Sequence, residues 1–183
     1  ASKNQGFSFT QQVTKSFLIS AYNPDSLGGI GRLNKLHIRA VNTVLAKQLS
    51  GISYTFINPN SYLGKYQLGP ETLVKLGYIK QNFFDTYGPL CVKNDSAWTG
   101  KDGIISLTGW FSSTGVQEKA HHAYTNANYL ALSANEGIKN EDNLCTIAGM
   151  LCVAHILGPD IGTSNKPGAR LWRDTGGGSD ING

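Results

Sequence analysis

The sequence predicts a single α+β domain, mainly α, with a small β-hairpin. Three observations predict it. Apolar residues recur at spacings of three and four over 32–49 and again over 116–134, the pattern of helices with one buried face. Residues 144–157 are apolar nearly all round, which predicts a buried central helix. Between these helices, strand-forming residues flank the turn cluster Asn58-Pro59-Asn60-Ser61, which predicts a short hairpin or β-like loop over 54–67.

In chain order, residues 1–31 form an N-terminal arm, with a strand or short helix at 17–22 and loop signals at Asn23-Pro24-Asp25 and Gly28-Gly29. The domain runs over 32–162. Its first helix carries Leu33, Leu36, Ala40, Val41, Val44 and Leu45, and Ser50-Gly51 ends it. After the hairpin, Pro70-Glu71 opens a helix over 70–76, because proline fits the first turn and an acid suits the positive helix end. Residues 80–103 read as loops, with Gly88-Pro89 and Gly100-Lys101-Asp102-Gly103 as punctuation. The long helix carries Val116, Ala120, Ala123, Ala127, Leu130 and Ala134. Residues 163–183 are a Gly-rich C-terminal tail, irregular apart from 169–173.

Composition excludes several function classes. A chain of 183 residues can bury a core of its own. Charged residues are 15% of it, against about 25% in ordinary domains, while 10% are aromatic, which excludes a disordered chain. Lys and Arg number 16 against 12 Asp and Glu, a net +4 with no basic run, so no nucleic-acid partner is expected. The longest apolar stretch, 147–158, is about 12 residues and holds His155, too short to span a membrane. The opening Ala1-Ser2-Lys3-Asn4-Gln5 has no apolar signal region. Cys91, Cys145 and Cys152 are too few for a disulfide scaffold and lack metal-ligand spacing. Cys145 and Cys152 are expected to pack as small hydrophobes on one helix face. No metal and no cofactor are expected.

The strongest candidate for chemistry is the end of the first helix. At about 100° per residue with Val41 as zero, Val44 falls at about 300°, Gln48 at about 340°, Leu45 at about 40° and Leu49 at about 80°. Gln48 thus lies near the middle of the apolar face at the last turn. There it can line a cleft opposite Gly64-Lys65-Tyr66-Gln67. Its plain alternative is a helix-end glutamine bonding nearby backbone. Other polar residues have plainer readings. Glu71 serves the helix dipole, and Asp102 serves a turn. His121 and His122 are solvated or at a rim, and His155 is a satisfied core histidine. Trp98, Trp110 and Trp172 belong to the core.

The stretch from Asn58 through Gly64-Lys65-Tyr66-Gln67 to Tyr78 resembles the Gly-x-Tyr-Gln segment of lysozyme-like, lytic-transglycosylase-like domains. Residues 98–107, 116–120 and 149–158 resemble, in order, further blocks of one subgroup, found among bacteriophage tail or virion proteins and bacterial peptidoglycan-directed proteins. The resemblance covers about residues 35–160. It implies a lysozyme-like fold with a small β-hairpin beside the cleft. It also implies glycan-binding roles for Asn58, Tyr62, Tyr66 and Gln67.

Such domains carry a catalytic Glu at the end of the first long helix. Here the run is Ala46-Lys47-Gln48-Leu49-Ser50-Gly51. Aligning on the serine puts Leu49 at that place, and one extra loop residue puts Gln48 there; neither is a carboxylate. An amide copies the shape of a protonated Glu but gives up no proton, so general acid catalysis is lost. The resemblance therefore implies a catalytically inactive phage virion protein of the tail or baseplate, acting in assembly with other virion proteins or in binding peptidoglycan glycan strands. The alternative is an active muramidase or lytic transglycosylase, with another acid or with its Glu replaced here by Gln48.

Overall fold

A computed structural model of the chain describes residues 27–159, and these are mainly helical. Expectations for 17–22, 163–183 and Trp172 lie outside the described residues. Helix α1 (Lys35–Ser50) begins at Asn34, whose side chain accepts from the His37 backbone N–H while the His37 ring receives the Asn34 N–H. It ends at Gly51, in the left-handed conformation that glycine adopts at little cost (φ 62°). Short helices α2 (Pro70–Lys75) and α3 (Gln81–Tyr87) follow, then 3₁₀ turns at Gly88–Lys93, Asp95–Ala97 and Lys101–Gly103. Helix α4 (Leu107–Ser112) leads into the long α5 (Thr114–Ala134), and α6 (Leu144–Leu157) closes the described chain. Among the described residues no helix is long and apolar enough to cross a membrane.

The expected hairpin over 54–67 is instead a run of tight turns. Ile57 pairs with Leu63, and Leu63 with Leu68, as isolated antiparallel bridges. The physical reason is local. Asn58 accepts from the Asn60 and Tyr62 backbone N–H groups, closing one turn. The second turn, Gly64 to Gln67, begins before a strand can extend. Over 80–103 the structure is more helical than the sequence reading, since α3 forms from Gln81-Asn82-Phe83-Phe84-Asp85-Thr86-Tyr87. That run is poor in strong helix formers, which hid it.

Two buried clusters form. The first gathers Leu63, Leu68, Leu73, Tyr78, Trp98 and Trp110 around the turns and short helices. The second gathers Ile30, Leu33, Ile38, Leu132, Ile147 and Met150, where α1 and α5 both pack on α6. Ile30 lies within the segment assigned to the arm, yet it is 1% exposed and bridges Leu33.

Two helices turn inward a face shifted from the one their apolar residues predicted, and a third buries less of itself than predicted. On α1 the buried residues are Ile38, Val41, Leu45 and Ala46, while Leu36 and Val44 are exposed. On α5 the buried stripe is largely polar: Gln117, Glu118, His121, Thr125 and Asn128, with Leu132. Of the expected apolar residues Ala120 is buried and Val116 half-buried, while Ala123, Ala127, Leu130 and Ala134 are exposed. Helix α6 has the expected bounds but buries only one side. Ile156 and Leu157 are exposed, and the expected shared packing of the cysteines fails, since Cys145 is exposed and Cys152 half-buried.

Candidate functional site

The turn run over 53–69 meets α1 and α5 at one place, and backbone chemistry explains how. A segment without a strand ladder must satisfy its backbone groups through side chains. Gln117 does so for three of them. Its amide nitrogen donates to the carbonyls of Tyr54 (3.0 Å) and Trp110 (2.9 Å), and its oxygen accepts from the Lys65 N–H (3.1 Å). The α1 end is fastened by Ser50, whose hydroxyl donates to the Lys65 carbonyl at 2.7 Å. Gly64 has φ 73°, and a Cβ there would lie 2.0 Å from the Gln117 oxygen. Only glycine fits so close an approach.

One residue along from Gln117, the Glu118 carboxylate is buried at the meeting point. Its Oε1 accepts from the Tyr54 hydroxyl (2.6 Å) and the Lys65 ammonium (2.7 Å), and its Oε2 accepts from the Tyr66 hydroxyl (2.7 Å). Lys65 also donates to the Tyr54 oxygen at 3.1 Å. Burial pushes the Tyr54 phenol up, helped by its hydrogen bond to Glu118 and by that residue's charge. These groups floor a cavity of about 320 Å³. Its α1 wall carries Lys35, Arg39, Asn42 and Thr43, and His122 stands on the α5 side.

Behind the floor, the Tyr66 ring stacks on His121 with centroids 3.7 Å apart and planes 8° from parallel. His121 Nε2 meets Asn42 Oδ1 at 2.9 Å. His155 Nε2 donates to the Tyr66 carbonyl at 2.7 Å. The two imidazoles lie edge to face, 5.1 Å apart, and each Nδ1 is buried without a hydrogen-bond partner. Burial holds His121 well below the usual histidine pKa, and the charges of His155, His122 and Lys65 add to this. His155 is lowered too, by burial against the opposing effect of its bond to the Tyr66 carbonyl. His121 is thus fully buried, not the solvated or rim residue its position suggested.

The predicted site residues are dispersed. Gln48 is exposed and does not line the pocket. The physical reason is helix phase. On the same wheel the lining residues Asn42, Lys35 and Arg39 fall at about 100°, 120° and 160°, so Gln48 at about 340° points nearly the opposite way. The predicted apolar face runs from Ala40 to Leu49 with Gln48 near its middle; its Val41 and Leu45 are buried, but Ala40 and Val44 on the other flank are exposed. Tyr66 is the one candidate in the pocket. Gln67 is buried, but its amide donates to the carbonyls of Phe56 (3.1 Å) and Gly64 (2.8 Å), holding its own turn at φ 48°. Asn58 closes a turn, and Tyr62 is 42% exposed beside Gly69.

Glu118, Tyr54 and Asn42 escaped the sequence reading, and Lys65 entered it only as part of the Gly64-Lys65-Tyr66-Gln67 segment. A signal existed. At about 100° per residue, Gln117, Glu118, His121, Thr125 and Asn128 share an arc of about 100°, a polar stripe on a helix read for its alanines. Asp102, read as a turn residue, also ties the Lys101–Gly103 turn to α5. It accepts from Tyr78 at 2.7 Å and from Lys119 at 2.5 Å. Burial alone would raise its carboxyl; the bonds from Lys119 and Tyr78 and the charges of Lys119 and Lys101 bring it below the usual carboxylate range. Among the described residues no group of three or more His, Cys, Asp or Glu side chains could hold a metal ion. Compared with family models, curated proteins and solved structures, the chain matches none.

Proposed function

We propose that this chain is a lysozyme-like protein of a phage tail or baseplate that binds peptidoglycan glycan without cleaving it. One observation carries the non-hydrolytic half of this reading. Among the described residues the pocket is lined by a single carboxylate, Glu118, and three donors occupy its two oxygens. Glycoside hydrolysis ordinarily needs two carboxyl groups across the bond, one of them able to give a proton. Here Glu118 serves as an acceptor that positions Tyr54, Lys65 and Tyr66. The hydroxyl, amide and ammonium groups around it suit sugar hydroxyls and N-acetyl groups. The Gly64-Lys65-Tyr66-Gln67 segment on which the resemblance rests supplies two of these residues.

The second reading is an active muramidase or lytic transglycosylase. What favours it is that the pocket does hold a buried carboxylate, so its acid would be Glu118 and not Gln48. Incubating the full chain with purified peptidoglycan separates the two. Co-sedimentation with unchanged turbidity is the expected result. Clearing of the suspension that disappears in Glu118→Gln would establish the enzyme instead. Failure to sediment with peptidoglycan would remove the glycan-binding part altogether.

A further inference from the structure

The hydrogen bonds behind the pocket fix which atoms its side chains turn toward a ligand. Resting on the glycan-binding reading above, we propose that Asn42 is the specificity-determining residue of the pocket: held through its oxygen by His121, it offers its amide N–H groups to an acetamido carbonyl of the sugar. Asn42 lines the cavity from α1, and His121 stands behind it. The His121 ring is buried, and its Nδ1 has no hydrogen-bond partner. A proton on that atom would bury an N–H with nothing to accept it, a rarer state than a bare acceptor. On Nε2 the same proton is donated to Asn42 Oδ1 at 2.9 Å. That bond orients the amide. Its oxygen is taken, and its Nδ2 is left without a partner among the described residues. Asn42 is half-buried and Nδ2 is not sealed in the core, so the nitrogen opens on the cavity. The neighbouring side chains are already committed. The Tyr54 and Tyr66 hydroxyls and the Lys65 ammonium donate to Glu118, and Lys65 donates also to the Tyr54 oxygen. Thr43 donates to the Arg39 carbonyl at 2.8 Å, His122 Nε2 meets the Gly28 carbonyl at 3.2 Å, and Lys35 and Arg39 have partners of their own. The cavity thus offers amide N–H groups and one ammonium proton, while its carboxylate is taken. A sugar hydroxyl entering such a site would bury its own proton unpaired. A carbonyl oxygen only accepts, and the acetamido group is the carbonyl that each amino sugar of peptidoglycan carries. At about 320 Å³ the cavity has room for a sugar-sized group and not for a long chain.

Calorimetric titration of the full chain would compare chitotetraose with cellotetraose, the same backbone with hydroxyls in place of acetamido groups. Chitotetraose should bind about tenfold more tightly, the size of one hydrogen bond whose loss leaves a donor unpaired. Asn42→Leu should erase that ratio while cellotetraose affinity persists. His121→Phe, which keeps a ring against Tyr66 and drops the bond to Asn42, should narrow it; a merely structural His121 would leave it unchanged. Nitrogen NMR spectra of the histidine rings need no variant and should show the His121 proton on Nε2. A proton on Nδ1 would turn the Asn42 oxygen to the cavity and overturn the proposal. Equal affinity for the two sugars, or a preference that survives Asn42→Leu, overturns it and leaves the glycan reading intact. Binding of neither sugar overturns it too, and the glycan reading falls with it only when the chain also fails to sediment with peptidoglycan.

Discussion

Around Trp110 and Tyr78 the chain is built from turns and short helices, and around Met150 and Ile147 from three longer helices packed together. The first region is held by polar side chains that reach backbone. Gln117 bonds three backbone groups, Gln67 two, and the Trp98 ring nitrogen donates to the Val92 carbonyl at 3.0 Å. The second region buries apolar side chains between helices that carry their own backbone bonds, with side chains reaching backbone at the connecting loops, as Asp142 does to the Lys139 N–H and Asn143 to the Thr146 N–H. A folded segment without regular structure must import donors and acceptors, and α5 is where they come from. Its first half faces the turns and buries Gln117, Glu118 and His121; its far end buries Leu132 among apolar residues. The pocket sits where the two regions meet, because that is where buried polar groups converge.

The contrast is broken most severely at Glu118. Glu118→Ala would leave the half-buried Lys65 ammonium without its counter-ion and the Tyr54 and Tyr66 hydroxyls without the carboxylate they donate to, and a cost of about 3–5 kcal/mol is expected. Urea denaturation measures it. Glu118→Gln, which keeps one acceptor oxygen, should cost distinctly less. Equal, small losses for both variants would show that the charge network is not what joins the regions.

Next in size is Gly64→Ala. A left-handed residue with a Cβ costs about 1–2 kcal/mol, and here the Cβ also collides with the Gln117 amide. A total near 2–4 kcal/mol is expected. Gly51→Ala serves as the control, because Gly51 has a similar φ of 62° and open space around it. It should lose only the conformational part. If the two substitutions cost the same, the Gln117 packing contributes nothing.

The pH dependence tests the histidines at the junction. Both are held below the ordinary pKa of 6.5 by burial. Below that value the unfolded chain takes up protons that the folded state refuses. Stability is therefore full above about pH 6.5 and falls as the solution is acidified, with a limiting slope of about 1.4 kcal/mol per pH unit for each histidine. The charged groups facing the pair are Lys65 from the turn and His122 from α5, with Glu118 reached through Tyr66. The charges of His122 and Lys65 act on His121 in the same direction as burial. Denaturation midpoints from pH 7.5 to 5 should show the fall. His121→Phe, which keeps a ring against Tyr66, should flatten it by about half.

Much of the fold was legible because helix ends are written locally. Pro70-Glu71 opens α2 and Ser50-Gly51 closes α1 where the sequence put them, and α6 has the predicted bounds. Helix phase was not legible, for a reason common to α1 and α5. Each has apolar residues on an exposed side, and each buries residues that a hydrophobic count discards: Asn42 is half-buried in α1, and Gln117, Glu118 and His121 are buried in α5. Which face turns inward depends on partners far along the chain. The Asn42–His121 contact spans 79 positions, and Tyr54–Glu118 spans 64. The pocket inherits this: Tyr66 is a candidate from the sequence, whereas Glu118 emerges only when the helix is read for its polar stripe.

The smallest expected effect is the one that most sharpens the comparison. Gln48 lies at the end of α1 nearest the turn region, and the sequence makes it the natural place for a lost acid. The structure assigns that end's contact with the Gly64-Lys65-Tyr66-Gln67 turn to Ser50 and leaves Gln48 exposed. Gln48→Glu should therefore produce no cleavage of peptidoglycan and no change in glycan affinity. Its effect on stability should stay within about 0.5 kcal/mol, as for most exposed positions, with a slight loss because a negative charge at a helix C-terminus opposes the dipole. Ser50→Ala, two residues on, should cost more, because it removes a hydroxyl bond to the Lys65 carbonyl that ties the two regions together. If Gln48→Glu instead yields a peptidoglycan-clearing protein, the helix must turn that face toward a substrate. The seam between the regions would then not be the functional site.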